Sequence, residues 1–343
     1  MPKITGTIYD LKLAYRFTIA RSSKTEQPSL IICYQDQGIK GYGECTDHAY
    51  YKFSVTQGLQ QMLSVRDKLA SMAGSHPTEF YSAIHKLLPE TPFLRCAIDE
   101  AYWDWYGKLH QNKTHQLLDL SAPHECFTSY TIGIDNMDQM KAKMDAHPWP
   151  AYKIKLSAVH DAGFVQELIR HARVPLCIDA NASWSAEQLI SMTRHMTTKT
   201  VPFIEQPMPR EAWDEMTQTK NLTPIPLIAD ESCVNINDLE ACARSFDGVN
   251  VKLMKCGGIT PAYELLQAAK KRGLKTMIGC MTESSIGISA ATHLIQLADY
   301  IDLDGALLLA NDPAIGIDWT STGPIWPSTM GNGAVLNQTM IDL

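Results

Sequence analysis

The chain has 343 residues, 45% of them apolar and 20% charged, with a net charge of −7, which suits a globular protein of two domains or one barrel with an addition. No run approaches the ~18 apolar residues of a membrane span, the N-terminal stretch holds Lys3, Asp10, Lys12 and Arg16 instead of a signal-peptide core, and no basic cluster offers itself to nucleic acid, so a cytoplasmic protein is expected. Nine cysteines are scattered without a C-x-x-C pair, so neither a disulfide framework nor a zinc cluster is indicated and most of them read as buried small apolar residues.

Taken in order, residues 3–9 and 29–35 read as strands, and Asp36-Gln37-Gly38 turns the chain into Ile39-Lys40-Gly41-Tyr42-Gly43-Glu44. A three-stranded antiparallel sheet follows. Residues 54–71 and 92–109 carry helical periodicity, the second with Cys96, Ala97, Ala101, Trp103, Trp105 and Tyr106 as apolar surface. Residues 1–122 therefore read as an α+β capping domain. Between its first two strands, the polar segment 19–26 is long enough to form a mobile loop of the kind that covers a site.

From about Phe127 the chain repeats a strand-then-helix cycle. Strands are predicted at 129–134, 151–156, 175–180, 201–205, 226–230, 249–253, 276–281 and 300–304, with amphipathic stretches such as 160–172, 184–197, 260–272 and 285–298 between them. Such a cycle implies parallel pairing by right-handed crossovers. The expected fold class is α/β: a (β/α)7β TIM-like barrel over 123–310, because a Pro- and Gly-rich tail over 311–343 stands where an eighth helix belongs. The tail is expected to pack back on the cap.

The second barrel strand, Tyr152-Lys153-Ile154-Lys155-Leu156, puts Lys153 and Lys155 on one face. Later strands end on Asp179 and Asn181, Glu205, Asp230 and Glu231, Lys252, and Asp302 and Asp304. A single acid at a strand end is commonly the N-cap of the following helix. Three acids on three consecutive strands of a barrel converge on one mouth instead, where they repel unless a cation lies among them. Asp179, Glu205 and Asp230 are all oxygen donors, which suits Mg2+, with Mn2+ as a substitute. Lys255, three positions beyond Lys252, faces away from an extended strand and is read as structural.

Five motifs in register then carry a specific resemblance. Lys153-x-Lys155, Ile178-Asp179-Ala180-Asn181, Ile204-Glu205-Gln206-Pro207, Ala229-Asp230-Glu231-Ser232 and the run from Asn250 to Ile259 resemble the muconate-lactonizing-enzyme subgroup of the enolase superfamily along nearly the whole chain. The resemblance implies Asp179, Glu205 and Asp230 as metal ligands and Lys155 and Lys252 as acid/base catalysts on opposite faces of the substrate, with Lys153 as electrostatic partner. Superfamily members of this kind use a lysine or histidine base with Mg2+ stabilising an ene-diolate. Both lysines are then expected to titrate about 3 units below a free lysine, worth about 4 kcal/mol. Asn181, Gln206 and Glu231 are expected to orient the ligands and lysines around them.

Asp302-Leu303-Asp304 resembles the Asp-x-Asp motif of dipeptide epimerases, which implies that the two acids hold a substrate α-ammonium. Residues 19–24 resemble the Ala-Glu epimerases, with Arg21 and Lys24 in the matching segment. Lys24 stands where an arginine is expected, keeping the charge without the bidentate fork. Met281 and Thr282 are placed for peptide contact, or simply open the next helix. The implied reaction is a two-base epimerisation of the C-terminal residue of L-Ala-D/L-Glu, with a role in recycling cell-wall peptides. Within the subgroup, a dipeptide with a neutral or hydrophobic second residue, an N-acyl or N-succinyl amino acid racemase and an o-succinylbenzoate synthase stay open, as does a homo-oligomer. A Schiff-base aldolase has no need of the three acids, and a non-catalytic binding barrel has no need of a lysine on each side of them.

Overall fold

A computed structural model describes residues 2–72, 74–122 and 125–337. The expected barrel start at 123 and the end of the expected tail, 338–343, lie outside the described residues.

The cap opens with β1 (Lys3–Ile19), β2 (Ser22–Asp36) and β3 (Ile39–Thr46), paired antiparallel in that order. The first two strands are far longer than their apolar runs. Phe17, Thr18 and Ile19 pair with Lys24, Ser23 and Ser22, so residues 19–26, expected as a loop, form the end of a β-hairpin that turns at Ala20-Arg21. Backbone pairing needs no apolar side chains, and a polar hairpin tip looks like a loop by composition. The tip reaches the barrel, where Ile134 N–H donates to the Thr18 carbonyl.

Helices α1 (Val55–Ala70), α2 (Pro77–Leu87) and α3 (Pro92–Leu109) follow, and then the short α4 (Thr114–Leu117). The alternation Gly41-Tyr42-Gly43 has a packing cause: a Cβ on either glycine would lie 2.2 Å from a carbonyl oxygen of α3. Backbone meets backbone there. Nearly all of α3 is buried, because it lies between this sheet and the barrel.

The barrel strands are β4 (Tyr130–Ile132), β5 (Tyr152–Lys155), β6 (Leu176–Asp179), β7 (Ile204–Glu205), β8 (Leu227–Ala229), β9 (Gly248–Lys252), β10 (Lys275–Gly279) and β11 (Tyr300–Asp302). All are parallel and ordered sequentially. Ser129 N–H donates to the Ile301 carbonyl, which brings the last strand beside the first. Helices α5 (Met137–Ala146), α6 (Ala162–Ala172), α7 (Ala186–Thr193), α8 (Trp213–Lys220) and α9 (Leu239–Ser245) follow the first five strands. After β9 come a single turn, α10 (Leu253–Cys256), and then α11 (Ile259–Lys271). Helix α12 (Ser285–Thr292) follows β10, and only a 3-10 turn, Gly305–Leu308, follows β11. This is a (β/α)7β barrel beside an antiparallel cap. One continuous apolar core runs through both, so the cap is fixed against the barrel mouth.

The tail binds the cap through several contacts. Asn332 N–H donates to Asp104 Oδ1, Thr114 N–H donates to the Gly331 carbonyl, and Ala314, Ala334 and Leu336 pack on Ile31 and Ile286. At this junction His115 and His293 stack, with their Nδ1 atoms 2.8 Å apart. His293 is buried there.

Candidate active site

Helix caps are supplied by Asn136, Asp161, Ser185 and Ser284. Asp179, Glu205 and Asp230 cap no helix. They are buried at the C-terminal ends of β6, β7 and β8 together with Lys153, Lys155 and Lys252. Adjacent register pairs Lys155 with Asp179 and Asp179 with Glu205, which carries these residues side by side around the mouth.

The ammonium groups lie directly on the carboxylates. Lys155 Nζ is 2.6 Å from Asp179 Oδ2, and Lys252 Nζ is 2.8 Å from Asp230 Oδ2. Lys153 Nζ is 2.6 Å from both Glu205 Oε2 and Asp302 Oδ2 and 3.5 Å from Asp179 Oδ2. Its contact with Glu205 is an ion contact without hydrogen-bond geometry, so Glu205 Oε2 is buried with no hydrogen bond among the described residues.

Electrostatics follow from burial and sign. For Asp179, burial works to raise the pKa, but Lys155 and Lys153 overcome it and hold the group at about 2. Asp230 is likewise held low against burial by Lys252 and Lys255. Glu205 goes the other way, up to about 7, through burial and then the charge of Asp179. Lys153 and Lys252 pull Glu205 down, but not enough to offset its burial and the neighbouring charges of Asp179 and Asp230.

The depressed value expected of Lys252 belongs to the Mg2+-bound site; without the ion the direction is the opposite. Burial lowers Lys252, but Asp230 and Glu205 outweigh it, and Lys252 sits above the ordinary lysine range. Lys153 is raised in the same way, burial being outweighed by Asp302, Glu205 and Asp179.

Lys255 corrects the expectation that it faces away. Its Nζ donates to Asp230 Oδ1 and to the Asp230 carbonyl, each at 2.6 Å, and to the Asn250 carbonyl at 2.9 Å. The strand ends at Lys252 and α10 takes over, so a side chain three positions on returns to the same side. The usable sequence signal was Gly257-Gly258, at φ +108° and +132°, which marks the end of a helical turn.

Around this centre, Gln206 Oε1 accepts from the Asp230 and Ser232 N–H groups and its Nε2 donates to the Met208 carbonyl and Ser232 Oγ. Asn181 N–H donates to Asp179 Oδ1, while Asn181 Oδ1 and Glu231 Oε2 are buried without hydrogen-bond partners among the described residues. Arg21, at the hairpin tip, binds Glu231 Oε1 and lies over the Tyr50 ring. Lys24 is half-buried and donates to Gln27 Oε1. Burial first, then Lys155, pushes Lys24 down to about 8. His48, not singled out from sequence, is lowered to about 4 by burial first and then by Lys252 and Lys24, and its Nδ1 is buried without a hydrogen-bond partner among the described residues.

On the far wall Asp302 accepts from Ser129 Oγ and Lys153 Nζ, and Asp304 Oδ2 accepts from Thr131 N–H. Burial and then Asp302 raise Asp304 to about 6. Met281 N–H donates to Glu283 Oε1, and a Cβ on Gly305 would lie 2.9 Å from the Met281 carbonyl oxygen, so this loop borders the acid pair. Thr282 is buried within it.

Among the described residues no three acids encircle a point as they stand, since ammoniums occupy the inward oxygens. The donor set nevertheless fits a hard cation: three carboxylates on adjacent strands and unpartnered oxygens on Asn181 and Glu231.

Fold and site define an enzyme class, the capped barrel with acids and lysines gathered at the strand ends. Residues 4–119 match the mandelate racemase / muconate lactonizing enzyme N-terminal domain and residues 135–306 the enolase C-terminal domain-like family. The chain belongs to this family. An L-Ala-D/L-amino acid epimerase of Flavobacterium johnsoniae is 41% identical over 328 residues, covering 96% of this chain and 98% of the relative. The structure of an enolase family member from Agrobacterium tumefaciens with homology to dipeptide epimerases, with bound sodium and L-Ala-L-Glu, matches with TM-score 0.87 and 28% identity over 96% of this chain and all of that one. A dipeptide epimerase from Methylococcus capsulatus in complex with Mg and L-Arg-D-Lys gives TM-score 0.88 and 26% identity over 97% and 98%. No helix among the described residues is long and apolar enough to cross a membrane.

Proposed function

We propose that this protein is a Mg2+-dependent dipeptide epimerase that inverts the α-carbon of the C-terminal residue. The observation that carries this reading is the placement of Lys155 and Lys252 on the second and sixth strands of an eight-stranded barrel, across the mouth from each other with the acids between. A substrate held there presents one face of its α-carbon to each lysine. The neutral amine of one removes the α-proton, and the ammonium of the other returns a proton to the opposite face.

Asp179, Glu205 and Asp230 hold the Mg2+. When bound, the ion supplies positive charge to the substrate carboxylate and takes up the negative charge of Asp230 and Glu205 that otherwise raises Lys252. Lys153 adds a fixed ammonium where charge develops on the carboxylate oxygens. Asp304, with Asp302, receives the α-ammonium of the N-terminal residue; its raised pKa marks a site where added positive charge is stabilising.

For the second residue, Lys24 is the telling group. It is a half-buried ammonium whose only hydrogen-bond partner among the described residues is the neutral Gln27, which favours an acidic side chain, and Ala-Glu first. The Flavobacterium relative's broader name keeps other second residues on the substrate panel. A cytoplasmic role in recycling cell-wall peptides accords with the Ala-Glu reading.

The test is proton NMR of the protein with Mg2+ and L-Ala-L-Glu in D2O, beside a panel of Ala-X and X-Glu dipeptides. Loss of the α-proton signal of the second residue with growth of the diastereomer is expected. Exchange confined to an N-succinyl amino acid would overturn the reading.

A further inference from the structure

Each of the three carboxylates has one oxygen tied outward and the other turned inward. Asp179 Oδ1 accepts from Asn181 N–H and its Oδ2 faces Lys155. Glu205 Oε1 accepts from Asn250 Nδ2 at 2.7 Å, and its Oε2 faces Lys153. Asp230 Oδ1 accepts from Lys255 Nζ at 2.6 Å, and its Oδ2 faces Lys252. The first of these ties is local backbone. The other two come from β9 and the turn after it.

We propose that Asn250 and Lys255 are positioning residues that fix Glu205 and Asp230 so that Oε2 and Oδ2 point into the site as metal ligands. The inference rests on the metal reading above. Lys255 is 1% exposed, and its three N–H donors are matched by three acceptors, so it holds no proton for a substrate. By contrast, Lys252 Nζ has one carboxylate partner among the described residues. Lys255 also bonds the Asn250 carbonyl, which joins the two ties into one bracket across β7, β8 and β9. Gly279 of β10 leaves room for it, since a Cβ there would lie 2.5 Å from Asn250 Oδ1. An amide so confined has one rotamer, and the carboxylate it holds has one direction.

The experiment is a titration of Mn2+ into the substrate-free protein, followed by electron paramagnetic resonance, for wild type, Lys255→Met and Asn250→Ser. Thermal melting identifies the folded variants, and exposed Lys271→Met serves as control. Each bracket variant is expected to weaken Mn2+ binding by about 10- to 100-fold, the usual cost of losing an outer partner of a ligand, with the control unchanged. If Lys255→Met does not fold, Asn250→Ser decides alone. Folded variants that bind Mn2+ like wild type would overturn the positioning role while leaving the metal reading intact. A wild-type protein that binds no Mn2+ would overturn both.

Discussion

Replacing Lys24 by alanine is the sharpest probe of specificity. In the free site its ammonium is half-buried beside Lys155, with Gln27 Oε1 as its hydrogen-bond partner. It is therefore charged at neutral pH but poorly compensated. A carboxylate about 4 Å away gains about 4 kcal/mol at an effective dielectric near 20. Stripping water from that carboxylate offsets part of the gain, and hydrogen bonds to charged groups net about 1.5–3 kcal/mol. Lys24→Ala is thus expected to lower kcat/KM for L-Ala-L-Glu by about 30- to 150-fold, from 2–3 kcal/mol at 1.4 kcal/mol per decade. A neutral second residue should change by no more than about threefold, since it forms no such pair. Initial rates on paired substrates, followed by NMR or polarimetry, give the ratio. The pH profile supplies an internal control. Burial lowers Lys24 to about 8, so the charged form dominates below that pH and is lost above it. Wild-type preference for the acidic substrate should fall from pH 7 to 9.5, and Lys24→Ala should show no such decline. Equal losses on acidic and neutral substrates would refute the assignment.

Lys155→Ala and Lys252→Ala are each expected to abolish epimerisation while retaining α-proton exchange from one substrate enantiomer in D2O; near-normal epimerisation by either would end the two-base scheme. Asp304→Asn keeps the shape and removes the charge, so kcat/KM on a free dipeptide should fall by about 10- to 150-fold, the range of a charged hydrogen bond, while the low activity on an N-acetylated dipeptide stays level. The buried His115–His293 pair predicts acid lability. Burial and then Lys113 lower His115 to about 4, and burial and then His115 lower His293 to about 3. Between those values and the ordinary 6.5 the unfolded chain binds more protons, so this contribution is complete above 6.5 and lost as pH falls. His293→Gln should flatten the decline of Tm between pH 6.5 and 4; an unaltered slope would show that the pair does not govern it.

The barrel and its acids were legible because a parallel strand has two simple regularities. Side chains alternate in direction, and the mouth lies at the C-terminal ends. Lys153, Lys155, Asp179, Glu205, Asp230 and Lys252 obey both, so position along the strand sufficed to bring them together. The tip of the hairpin did not obey them. Ser22, Ser23 and Lys24 have no apolar rhythm, and only backbone pairing with Ile19, Thr18 and Phe17 makes them a strand.

Lys255 escaped because the chain changes period at Lys252, from two residues to nearly four, within a turn too short to show a helical pattern. Asn250 reads from sequence as one more strand residue, since the acid it holds lies 45 positions earlier. The direction of the lysine titrations also belonged to tertiary structure. Two lysines on one strand repel in isolation, whereas Asp302 and Glu205, brought in from distant strands at 2.6 Å, hold Lys153 raised. Residue type and period determined which groups reach the mouth; the distances between strands decided what each meets there, because a Coulomb term grows as separation shrinks and sequence carries no separations.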